Sequence, residues 1–77
     1  MTGYPKYKLG DIVVFKINDN ETKTGTIAVV DTYGTFFDDS DVSYDIINKE
    51  EKMLYKHFSE KYILKKIGES DPSKVWD

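Results

Sequence analysis

Short apolar runs with a period of about two are the dominant pattern in this chain. Residues 9–17, LGDIVVFKI, are β-branched and aromatic and run into the polar string NDNETKTG. They read as a strand over 11–17. With Val13, Phe15 and Ile17 on one side, Ile12 and Val14 fall on the other. Both faces are then apolar, which suits a strongly curved sheet whose outer face is partly covered. KTGTIAVVD predicts a second strand over 24–31. Ile27 and Val30 break a strict alternation, so only a bulge between them lets both point inward. Gly25 marks a bulge or a close backbone approach. TYGTFFDDSD, 32–41, has turn chemistry and predicts a loop. VSYDII, 42–47, alternates again, with Val42, Tyr44 and Ile46 on one side and Ser43 and Asp45 on the other.

The segment from 43 to 67, SYDIINKEEKMLYKHFSEKYILKKI, supports two readings. Its second half is rich in helix formers. At about 100° per residue, Leu54, Tyr55, Phe58 and Tyr62 share a stripe, but Met53, Leu64 and Ile67 fall opposite. Such a helix would be apolar nearly all round, and so small a domain cannot bury that surface. In the strand reading, NKEEK is a polar hairpin turn. Strand 53–58 follows, then one helical turn, SEKY, with the Ser59 hydroxyl available as a cap. ILKKI is a last strand over 63–66. Local propensity favours the helix and burial favours the strands. Gly68 and Pro72 predict the end of regular structure, leaving a tail with Val75 and Trp76 as its apolar anchors.

The chain has 77 residues, enough for one domain. A chain of this size buries only roughly 60–65% of the surface it exposes when unfolded, so its stability margin is small. It has no cysteine, which removes disulfides, thiolate metal sites and a cysteine nucleophile together. Aromatic residues at 14% must supply the core instead. No run approaches the ~20 apolar residues of a membrane span, and the first residues lack the apolar centre of a signal peptide. The expected compartment is the cytoplasm and the expected state a monomer.

The pattern GDIVVF, then GTIAVVD, YDI, a hairpin, and a single turn leading into a short apolar strand resembles the SH3-like small β-barrel superfamily, with its KOW-like and Tudor-like modules. The resemblance covers about residues 9–67, leaving 1–8 as an N-terminal arm and 68–77 as a C-terminal tail. It implies an all-β, five-stranded SH3-like barrel with one short helical turn before the last strand, and so favours strands over the helix. It also implies inward positions at Val13, Phe15, Ile27, Val30, Tyr44, Ile46, Leu54 and Ile63. The wording SYDI…LYKHFSEKYI is similar to small uncharacterised phage or mobile-element proteins, a likeness that carries no function.

Charge adds an asymmetry. The net charge is −3, with Asp31, Asp38, Asp39, Asp41 and Asp45 in one stretch without a lysine. Lys49, Lys52, Lys56, Lys61, Lys65 and Lys66 follow in the next, and arginine is absent. Those lysines could track a phosphate backbone. The missing arginine and the acidic stretch argue against it, and a solvated face explains them as well. Asp39, Asp41, Ser43, Asp45 and Glu50 have the ligand spacing of an EF-hand loop. Tyr44, however, stands where that loop needs glycine, and the flanks read as strands. His57, the single histidine, has no cysteine or second histidine to share a metal, and Ser59 beside it lacks a third partner.

Tyr33, Phe36 and Phe37, with Asp38 and Asp39, form the candidate partner-binding loop. One phenylalanine is expected to seal the end of the sheet and Tyr33 to stay exposed. Aromatic grooves dock extended peptides, and the aspartates favour a basic or neutral segment. The expectation is a non-enzymatic module that binds a protein or peptide, with no cofactor, no metal and no membrane. A nucleic-acid-binding module using the lysine face is the alternative.

Overall fold

The computed structural model describes residues 5–31 and 42–76. Five strands make one antiparallel sheet: β1 (Asp11–Asn18), β2 (Glu21–Asp31), β3 (Ser43–Asn48), β4 (Met53–Ser59) and β5 (Ile63–Glu69). Their spatial order is β4-β3-β2-β1-β5, so three successive neighbours meander and β5 returns to the far side of β1. Among the described residues the sheet is open, with β4 and β5 at its edges. Among the described residues, two 3-10 turns, Glu60–Tyr62 and Pro72–Lys74, supply the helical geometry. The segment from 53 to 67 is therefore two strands joined by a turn. A helix there would have left most of its circumference in water, whereas the strands pair with β3 and β1.

Val13, Phe15, Ile27, Val42, Tyr44, Ile46 and Ile63 form the core, with Tyr7, Ile17, Val30, Tyr55 and Phe58 packed against it. The β2–β3 register slips between Ile27 and Val29, pairing Ile27 with Ile46 and Val30 with Tyr44. Here is the bulge that the uneven spacing of Ile27 and Val30 demanded. Gly25 faces Val13 on β1. A Cβ there would lie 2.6 Å from Ile46 Cγ2 and 2.9 Å from the Ile47 carbonyl, so the glycine allows a close approach between strands.

Leu54 is not a core residue; it is exposed, and Tyr55 and Phe58 take its place. Tyr44 pairs with Phe58 but Ile46 with Tyr55, so Lys56 and His57 together face Asp45. This bulge shifts the phase of β4. His57 adopts φ +55°, and its backbone N–H donates to Asp45 Oδ1 at 3.0 Å. A second positive φ, at Lys52, closes the β3–β4 turn, where Glu51 N donates to Asn48 Oδ1 at 2.9 Å. Ser59 occupies the cap position of the first 3-10 turn, but its side chain makes no capping bond. That turn is held instead by Glu60 N donating to the Val42 carbonyl at 2.9 Å.

Two strands, β2 at its start and β5 at its end, outrun their predicted bounds by three residues each. β2 begins at Glu21, across a tight turn in which Asn20 N donates to Asn18 Oδ1. β5 runs past Lys66 through Gly68 to Glu69, because Gly68 pairs with Ile12 and Glu69 with Asp11. Gly68 thus does not stop the strand. The chain then turns back: Ser70 N donates to the Gly10 carbonyl at 2.7 Å and Lys49 Nζ to the Lys74 carbonyl at 3.2 Å. Val75 is buried outside the main cluster while Trp76 stays exposed, so Val75 alone is the anchor. Where β1 begins, buried Asp11 accepts from Lys8 N and Lys8 Nζ and pairs with Lys66, and Glu69 pairs with both lysines.

Candidate functional site

A cleft of about 530 Å³ opens where the end of β1 meets β4 and the first 3-10 turn. β1 and its turn contribute Lys16, Ile17, Asn18 and Asp19; β4 contributes His57, Phe58 and Ser59; the 3-10 turn contributes Tyr62. The β4 bulge builds this site. By turning the phase of the strand it brings Phe58 inward and leaves His57 on the wall.

The floor is an aromatic series leading out of the core. Fully buried Phe15 meets Phe58 edge-on at 5.0 Å and Tyr55 at 5.1 Å. Phe58 meets Tyr62 at 5.8 Å, and Tyr62 is 45% exposed. Edge-to-face rings at these distances attract through their quadrupoles, which holds the outermost ring in a fixed pose. A ring that is positioned by its neighbours and still open to solvent is a ready contact surface. Lys61 Nζ stands 5.4 Å from its centroid.

The 3-10 turn is fixed from below. Tyr44, fully buried, donates its hydroxyl to Glu60 Oε2 at 2.6 Å, and Lys6 N donates to the same oxygen at 3.0 Å. Tyr7 N donates to the Tyr44 hydroxyl, and the two rings meet edge-on at 5.8 Å. Burial and the Glu60 carboxylate hold the Tyr44 phenol well above its ordinary value, so it stays protonated and keeps donating. The arm and β3 together thus brace the element that carries Tyr62.

Lys16 and His57 bring positive or titratable groups to the walls, and Asp19 brings a carboxylate. Lys16 Nζ lies 3.4 Å from Asp19 Oδ1, with the Asp19 side chain 97% exposed. His57 and Ser59 share the cleft, but the acid beside His57 accepts from its backbone N–H, not its imidazole. A Ser–His–acid relay needs an acid on the ring, a role that Asp45 does not fill.

Tyr33, Phe36, Phe37, Asp38 and Asp39 lie outside the described residues, as do Asp41 and the rest of 32–41. Of the acidic spacing considered above, Ser43, Tyr44 and Asp45 lie in extended β3 and Glu50 in the turn after it. Alternation along that strand buries Tyr44 and sets Ser43 and Asp45 on the other face, where Asp45 accepts from the His57 N–H at the β4 bulge. Among the described residues, no three His, Asp or Glu side chains gather as a metal site. Lys66 is committed to Asp11 and Glu69, whereas Lys49, Lys52, Lys56, Lys61 and Lys65 make no ion pair among the described residues. Lys16, Ile17, Asp19 and Tyr62 escaped sequence reasoning as site residues. The available signal was Tyr62 itself, an aromatic in a one-turn connection too short to bury it. Among the described residues, no helix is long and apolar enough to cross a membrane. No protein-family model, curated protein or solved structure matches this chain.

Proposed function

We propose that this chain is a small, non-enzymatic interaction module, a cytoplasmic monomer of SH3-like barrel architecture, that binds an extended protein segment in the cleft between β1 and the β4–3-10 junction. The strand order β4-β3-β2-β1-β5, the register shifts in all four of its ladders, and the 3-10 turn before β5 support the architecture. The observation that carries the function is the aromatic floor: Phe58 and Tyr62 continue the core to a solvent-exposed ring at the mouth of the cleft. Extended peptides gain contact area from such rings at little entropic cost to the protein.

A random peptide library displayed on phage tests this reading. The parent protein should enrich a family of peptides that Tyr62→Ala fails to enrich. Tyr62 is exposed, so the variant should keep its melting temperature. Equal enrichment by both proteins would move the site elsewhere.

Nucleic-acid binding is the second reading, favoured by the five lysines between 49 and 65 that lack ion pairs among the described residues. Protein binding is preferred because Lys8, Lys16, Lys23 and Lys66 are interleaved with Asp11, Asp19, Glu21, Glu51 and Glu69. A polyanion would meet those acids as well as the lysines.

A further inference from the structure

Resting on the peptide-binding reading above, we propose that the cleft selects a segment carrying one carboxylate, a Glu or Asp side chain, beside a bulky apolar residue. The walls and floor present two chemistries at once. Ile17, Phe58 and Tyr62 supply the apolar surface, and Lys16 and His57 face it from β1 and β4. Lys61 adds a third basic group beside the Tyr62 ring. A carboxylate entering between Lys16 and His57 meets donors on both sides, while its apolar neighbour covers the rings.

The acids around the cleft are already occupied or easily displaced. Glu60 accepts from the Tyr44 hydroxyl and from Lys6 N. Asp45 is bound to the His57 backbone. Asp19 holds Lys16 only through an exposed pair at 3.4 Å, of a kind that contributes little net free energy. A ligand carboxylate resting on the apolar floor is less hydrated than Asp19 and can take its place. The same three acids limit the ligand to a single charge. A chain of phosphates would extend past Lys16 and His57 toward Asp19, Asp45 or Glu60, on a protein of net charge −3.

The test uses three synthetic peptide sets with the same Trp, Leu and Pro positions and with Glu, Gln or Lys at the remaining ones. Affinities are read by fluorescence anisotropy, and the site by amide shifts at 16–19 and 57–62. The Glu set should bind roughly tenfold tighter than the Lys set, with Gln between, as the gain or loss of one close charge contact predicts. Lys16→Glu should reverse that order. Asp19→Asn should tighten the Glu set several-fold by removing the competitor, a gain that misfolding cannot imitate. Equal affinities at the cleft, or preference for the Lys set, would overturn the carboxylate preference and leave the peptide module standing. Binding of none of the three sets would remove the peptide-binding reading and this inference with it. Displacement of the Glu set by a mixed-sequence single-stranded oligonucleotide at lower concentration than by unlabelled Glu peptide would also overturn it, in favour of a polyanion.

Discussion

At the scale of single residues, the core depends on a few side chains whose positions leave no slack. Phe15 is fully buried and touches both aromatic residues of β4 edge-on. Phe15→Ala should cost about 3–5 kcal/mol, since it removes transfer free energy and leaves a cavity. That is most of what so small a domain holds, and circular dichroism should find the variant largely unfolded at room temperature. A melting point within a few degrees of the parent would show that the ring is peripheral. Lys52 offers the opposite sign. It sits at φ +56° in the β3–β4 turn, and its side chain makes no ion pair among the described residues. Glycine adopts that conformation without the Cβ penalty. Lys52→Gly should raise stability by about 0.5–1 kcal/mol in urea unfolding, and a loss would mean the lysine side chain contributes more than its backbone costs.

At the scale of elements, bulges decide what each strand presents. β1, β2 and β3 keep the alternation visible in their sequences, apart from a slip at Ile17 beside the first turn and the one that Ile27 and Val30 announce. In β4, a partner residue creates the slip: Asp45 on β3 accepts the His57 N–H. Nothing within MLYKHFS reports that carboxylate, so alternation alone points Leu54 inward when Tyr55 and Phe58 are the residues that pack. The tail is decided the same way. Gly68 and Pro72 look like stops, yet pairing of Gly68 with Ile12 and the Ser70–Gly10 hydrogen bond carry the chain back across the fold. Val75 anchors that return at 1% exposure. Val75→Ala should therefore lower stability by about 1.5–3 kcal/mol through two lost methyl groups and the void they leave. A change in melting temperature too small to detect would mean the tail docks without contributing to the fold.

At the scale of the whole molecule, pH reports on the ion network that joins the arm, β1 and β5. Burial alone would push the Asp11 carboxyl up. The Lys8 N–H and the Lys8 and Lys66 ammonium groups outweigh burial and hold it below its ordinary value. Lys8 and Lys66 likewise lower Glu69, and Ser73 lowers Asp71. A carboxyl depressed in the folded state adds stability above its unfolded pKa of about 4, and loses it as pH falls through the folded value. The urea midpoint should therefore drop steadily below about pH 4. Asp11→Asn should be less stable at neutral pH and show a flatter acid limb; an unchanged slope would exclude Asp11 as a main contributor.

The number and faces of the first three strands, the β2 bulge, the role of Gly25 and the polar turn at 48–52 were determined by the sequence itself. Each follows from local periodicity or from one residue's backbone constraints. Three features were decided only by tertiary structure: the choice of strands over helix at 53–67, the phase of β4, and the cleft that phase creates. These depend on partners distant in the chain: on Phe15 to receive the β4 rings, on Asp45 to hold the bulge, on Ile12 and Gly10 to draw in β5 and the tail. Pair energies between distant residues leave no periodic trace in either segment, so they become legible only when the chain brings the partners together.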